Sequence, residues 1–132
     1  MSFLVKTQLL NNILKEIVYV APKNWREIIY YVERIKDESL DLRRGSTAKC
    51  WLSPSMNEYN ESQRPAIPVS FELIEAEDNL FWKSDMVGET WCGLVMKIDN
   101  AGKYISKFYY EGTPLLDGND TELSKRLAEI KP

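Results

Sequence analysis

The chain has 132 residues, 44% hydrophobic and 28% charged, with a net charge of −3 and a pI of about 5.1. That length suits one compact domain, 1–132, whose core needs no disulfide or metal, and the acidic balance speaks against non-specific binding to nucleic acid or anionic lipid. The sequence contains no histidine, which excludes Ser-His-Asp and Cys-His catalysis as usually built, imidazole zinc sites, and a general base with an ordinary pKa near neutrality.

Residues 3 to 18 place Leu9, Leu10, Ile13, Leu14, Ile17 and Val18 on one helical stripe, with Ser2 as N-cap. Ala21-Pro22 ends that helix, because the residue before a proline is pushed out of the helical region. The run WREIIYYVERI, 25 to 35, is β-branched and aromatic and predicts a strand. Residues 36 to 46 read as a turn or loop around Gly45, and TAKCWLS, 47 to 53, as a second strand. Residues 53 to 68, with three prolines among Ser, Asn, Glu and Gln, read as a long polar loop.

Val69 to Ile74 read as a strand, followed by a helical turn or broad loop over 76 to 89. TWCGLVMKI and KYISKFYYE flank Asp99-Asn100-Ala101-Gly102 and predict a β-hairpin, with Leu94, Met96 and Ile98 on one face and Tyr104, Ser106, Phe108 and Tyr110 on one face of the partner strand. GTPLLDGND reads as a loop. Asp120 or Thr121 then caps a last helix with Leu123, Leu127 and Ile130 as its apolar stripe. The fold class is α+β: an antiparallel sheet with N-terminal and C-terminal helices packed on one face.

Cys50 and Cys92 are too few for a disulfide scaffold and read as buried thiols in strands. The N-terminal segment lacks the continuous apolar region of a signal peptide, and no run approaches a membrane span, so a cytoplasmic protein is expected. No Gly-rich phosphate cradle is present, and Asp117-Gly118-Asn119-Asp120 lacks the spacing of a calcium loop. No cofactor or metal is expected.

The chemistry-bearing feature is FELIEAEDNLFWKSDMVGE, 71 to 89. Glu72, Glu75, Glu77, Asp78, Asp85 and Glu89 stand there against one basic residue, Lys83, whereas residues 1 to 50 hold nine basic and six acidic residues. The stretch reads as a solvated surface, as a carboxylate pair for acid/base or magnesium chemistry, or as a face for a basic partner. Catalysis requires the acids to converge in a pocket, and no second acidic motif accompanies them. A partner-binding face pairs those six acids with Trp82, the tryptophan in the least regular segment and the candidate exposed anchor. Trp25, Trp51 and Trp91 fall at or in predicted strands and are assigned to the core.

Pro22 and Trp25 after the first helix, then Trp91, Leu94, Gly102, Lys103, Tyr104, Phe108 and Tyr110 in the hairpin, carry a resemblance. In these positions the chain resembles the YezG-like group of immunity proteins of bacterial polymorphic and contact-dependent toxin systems. The resemblance implies a small cytoplasmic inhibitor, not an enzyme, that binds the toxic C-terminal domain of a cognate toxin, often a nuclease, and covers its active site. It also implies a long amphipathic helix between the strands, which the pattern of residues 53 to 88 does not display. The alternatives are a general intracellular interaction domain and a carboxylate-dependent enzyme.

Overall fold

The computed structural model describes residues 1–39, 41–52 and 67–129. Its elements in chain order are α1 (Phe3–Val20), β1 (Glu27–Lys36), β2 (Leu42–Trp51), α2 (Phe71–Met86), β3 (Gly93–Asp99), β4 (Tyr104–Tyr109), α3 (Pro114–Asp117) and α4 (Asp120–Glu129). The four strands form one antiparallel sheet in the order β2-β1-β3-β4. The class is α+β, as the pattern of the sequence predicts.

The first helix follows its sequence closely. Ser2 Oγ accepts a hydrogen bond from the Val5 N–H at 3.2 Å, and Ala21 leaves the helix in an extended conformation ahead of Pro22. Leu9, Leu10, Ile13 and Ile17 are its buried stripe. The hairpin also forms as expected, with Leu94 opposite Phe108, Met96 opposite Ser106 and Ile98 opposite Tyr104. The Asp99 side chain holds its turn by accepting from the Ala101 and Lys103 N–H groups, and Gly102 supplies the left-handed residue, φ 86°.

β2 begins five residues earlier than its alternating pattern suggests, at Leu42 opposite Lys36, so the expected loop over 36–46 shrinks to the turn after Lys36. Asp37 closes that turn by accepting from the Ser39 and Asp41 N–H groups. The polar loop expected at 53–68 lies outside the described residues over 53–66. In the segment read as a loop, Pro114–Asp117 forms the short α3. Asn119 caps α4 in place of Asp120 or Thr121, its side chain accepting from the Glu122 N–H at 3.2 Å. Ile130, expected in the stripe of that helix, lies outside the described residues.

The largest difference is α2. Residues read as a strand and a loop form one 16-residue helix. Ser70 Oγ accepts from the Leu73 N–H at 3.1 Å, Glu72 lies in the first turn and Lys83 in the last, which favours both ends of the helix dipole. No Gly or Pro interrupts Phe71 to Met86. The buried stripe is Leu73, Glu77, Leu80, Phe81 and Ser84, a helical period with polar residues at two of its five positions. An apolar count therefore misses the helix, and the alternation of Val69 to Ile74 imitates a strand.

α1 and α2 cover one sheet face. Ile28, Tyr30 and Val32 of β1 and Leu94, Met96 and Ile98 of β3 join Leu9, Ile13, Ile17, Leu73, Leu80 and Phe81 in the main core. The Met1 ammonium meets Glu89 just beyond α2 at 2.8 Å, so α1 begins where α2 finishes and the helices run antiparallel. Tyr31 and Val95 point the other way and pack against Leu115, Leu123 and Leu127 of α3 and α4. The terminal helices, expected on one face, thus lie on opposite faces. β1 is covered on both, which explains why its sequence is apolar without alternation.

Because α2 depends on its cap to start after a proline-containing extended segment, Ser70→Ala should lower the unfolding free energy by about 1 kcal/mol, read by urea denaturation with an unchanged m-value.

Candidate partner-binding surface

The acidic segment folds so that its carboxylates are divided between two tasks. Glu77 lies in the buried stripe of α2, 1% exposed. It receives the Arg34 Nη2 at 2.5 Å and the Tyr30 hydroxyl at 2.9 Å. Asp78, next in sequence, receives the Arg34 Nε at 2.8 Å and the Arg44 Nη2 at 2.6 Å. Arg34 is itself buried on β1 and donates its remaining Nη1 to the Glu33 carbonyl at 2.9 Å. Two adjacent helix residues therefore clamp one strand guanidinium, and Arg44 closes the outer side from β2.

Asp85 accepts from Lys36 Nζ at 2.9 Å and from the Thr90 hydroxyl at 2.6 Å, and Glu89 accepts from the N-terminal ammonium. Four of the six acids assigned to a partner surface are thus engaged inside the fold. Glu77 is corrected outright: a carboxylate enclosed by Arg34 and Tyr30 is a core residue. Of the six, Glu72 and Glu75 alone are exposed, and among the described residues neither has a hydrogen-bond or ion-pair partner.

The electrostatics follow this division. Burial pushes the Glu77 carboxyl up, against the pull of Arg34 and of the Tyr30 hydroxyl. Burial also opposes ionisation of Asp78, but the hydrogen bonds and charges of Arg44 and Arg34 outweigh it and hold that carboxyl below its usual range. The bonds from Thr90 and Lys36 lower Asp85 in the same way. Tyr30 is pushed upward by burial and by Glu77, so its hydroxyl remains a donor.

Trp82, assigned as the exposed anchor, is half-buried against the main core and meets Phe81 edge-to-face at 5.3 Å. Trp91 is fully buried between Phe81 and Phe108, and Trp25 packs on the same core. Trp51 is half-buried at the end of β2. The exposed aromatic of α2 is Phe71, 69% exposed beside Glu72 and one helical turn from Glu75. Tyr19, at the C-terminal end of α1 and hence toward the same end of the antiparallel pair, is 85% exposed. The signal for Phe71 was available: on a helix, the stripe through Leu73, Leu80 and Phe81 turns Phe71 outward.

Cys50 is buried in β2, whereas Cys92 is half-buried just ahead of β3 and donates to the Gly112 carbonyl at 3.2 Å, so only the first is a core thiol in a strand. A cleft of about 590 Å³ opens between the end of β1, residues 90–92 and the segment before α3. Most of its polar lining is already engaged, Arg34 with the acids of α2, Lys36 and Thr90 with Asp85, and Thr113 with Asp117, while Arg43 stands exposed at its edge. None of Glu72, Glu75, Glu77 and Asp78 lines it. Among the described residues no group of three or more Cys, Asp or Glu side chains could hold a metal ion, and no helix is long and apolar enough to cross a membrane.

Asp78 and Glu77 respond oppositely to acid. The depressed carboxyl of Asp78 adds stability that is complete above its unfolded value and is lost as pH falls through the folded one; the raised carboxyl of Glu77 loses stability as pH rises through its own. Asp78→Asn should therefore flatten the loss of stability between about pH 5 and about pH 2 relative to the parent chain, measured by urea midpoints across that range.

No protein-family model matches the chain, and no curated protein matches it.

Proposed function

We propose that the protein is a small cytoplasmic inhibitor of the immunity type, which binds a cognate bacterial toxin domain with a basic, nuclease-like active surface and covers it. The observation that carries this reading is the exposed end of the helical layer, where Phe71 stands beside the unpaired carboxylates of Glu72 and Glu75 with Tyr19 at the same end. An aromatic anchor flanked by unpaired acids suits a surface evolved to bind phosphates, since carboxylates offer such a surface the charge it recognises. The resemblance of Pro22, Trp25 and the Trp91-to-Tyr110 hairpin to the YezG-like group supports the same reading, and α2 supplies a helix between the strands where that group carries one. Inhibition by coverage requires no catalytic group.

A second reading, an interaction domain without a toxin partner, draws on the opposite end of the layer. Phe3, Leu4 and Met86 are exposed there, and the nearby acids Asp85 and Glu89 are already paired, so nothing at that end selects a basic partner.

Co-expression with the toxin domain encoded immediately upstream should restore growth of the host cell. Phe71→Ala should weaken toxin binding by about 2 kcal/mol, and Glu72→Gln with Glu75→Gln should slow association and reduce its salt dependence. Phe71→Ala should leave the thermal midpoint unchanged, and the double Gln variant should lower it only slightly, through the loss of Glu72 from the first turn of α2, because all three side chains are exposed. Absence of both rescue and binding removes the toxin reading and leaves the interaction domain.

A further inference from the structure

The second sheet face is closed by an assembly unlike the main core. α4 has ten residues, and the residue it buries is Arg126; Leu123 and Leu127 are only half-buried. Isolated helices of this length are marginal in water, so α4 relies on its contacts with the sheet. Those contacts join a small apolar cluster, Leu123 and Leu127 with Tyr31 and Val95, to a set of directed hydrogen bonds. Arg126 Nη1 donates to the Tyr31 hydroxyl at 3.0 Å and to the Gly112 carbonyl at 3.1 Å, and Nη2 donates to the Glu111 carbonyl at 2.6 Å. Its guanidinium also lies over the Tyr109 ring, 4.3 Å from the centroid. At the far end of the helix Glu129 accepts from the Tyr109 hydroxyl at 2.6 Å and from Lys107 at 2.9 Å, both exposed.

α3 is fixed by the same group of residues. The Tyr31 hydroxyl donates to the Glu33 carboxylate, which accepts from the Leu115 and Leu116 N–H groups at 2.9 Å each. Gly93 makes room for this meeting: a Cβ there would come within 3.0 Å of the Tyr31 hydroxyl and 3.1 Å of Arg126 Nη1. On one side α4 does not close on the sheet. A cleft of about 340 Å³ separates it from β1, β2 and β3, between Ser124 and Leu127 on the helix and Ile29, Trp51 and Lys97 on the strands. The Nε of Arg126 is buried without a hydrogen bond; Glu122 stands 3.5 Å away as an ion pair.

We infer that α3 and α4 form a strap, latched by Arg126 on Tyr31, which opens as a unit while the sheet and the α1/α2 layer stay folded, and whose opening uncovers the apolar face made by Ile29, Tyr31, Val95 and Tyr109. A few directed hydrogen bonds and a small apolar cluster separate from the main core hold it, so loss of the hydrogen bonds releases the strap without touching that core. Tyr31 is shared by both halves of the strap, which makes the opening concerted.

Hydrogen exchange on the full chain under native conditions tests this. Amides of 113–129 should exchange at least about tenfold faster than the buried amides of β1 and β3. Arg126→Met and Tyr31→Phe should each speed exchange in the strap by a further factor of about ten and leave β1 and β3 unchanged. Strap amides that exchange in step with β1 and β3, substitutions that speed strap and sheet by the same factor, or a strap rate that neither substitution alters would overturn the inference.

Discussion

Two consecutive residues near the end of β1 organise both layers of this protein. Glu33 and Arg34 point to opposite faces of the sheet, and each is buried. A buried guanidinium requires anions, and α2 provides them at successive positions, Glu77 and Asp78. A buried carboxylate requires donors, and Glu33 takes them from the Tyr31 hydroxyl and the first N–H groups of α3. Each helical layer is thereby given an orientation that apolar packing alone leaves open. Removing one partner of such a pair strands a charge in the core, which is far more costly than the pair is favourable. The bond from Arg34 to the Glu33 carbonyl ties the two arrangements to one stretch of backbone.

This constraint also determines what is left for a partner. A sequence with six acids in 19 residues suggests an extended negative face, yet the charge is mostly neutralised by Arg34, Arg44, Lys36 and the N-terminus. What remains is small and local: Phe71, Glu72 and Glu75 on the first turns of α2, with Tyr19 toward the same end of the helix pair. Substitution at Glu77 or Asp78 probes the fold, whereas substitution at Glu72 or Glu75 probes the surface. Trp82 and Phe71 share one side of α2, and what separates them as anchors is packing: Trp82 is half-buried against Phe81 and the main core, whereas Phe71 stays exposed.

α1, β1 and the β3–β4 hairpin are legible because their local chemistry is unambiguous: a Ser2 cap, a β-branched run, and a turn closed by Asp99 and Gly102. α2 is not, because Glu77 and Ser84 occupy its buried stripe, and the burial of Glu77 becomes intelligible only when Arg34, 43 residues away in sequence, is brought opposite. The start of β2 is hidden in the sequence for a related reason. Arg43, Arg44 and Gly45 look like a turn, but Arg44 is placed on Asp78 and Gly45 lies under Leu115 and Leu116. The apolar stripe of Leu123 and Leu127 predicts the helix α4 but does not say which side of the sheet it meets. The residue that does is Arg126, whose partners Tyr31, Glu111 and Gly112 are distant in sequence or backbone atoms. Pairings of this kind are invisible to periodicity.

Glu77 and Asp78 are structural acids, and the Arg34–Glu77 pair is where that role is most open to test. A double-mutant cycle with Arg34→Met and Glu77→Gln, measured by urea denaturation at neutral pH, gives the coupling between them directly. The structure predicts a coupling of about 2 kcal/mol or more, with each single substitution costing more than its share of the double. Single-mutant effects that simply add, to within about 0.5 kcal/mol, would contradict it.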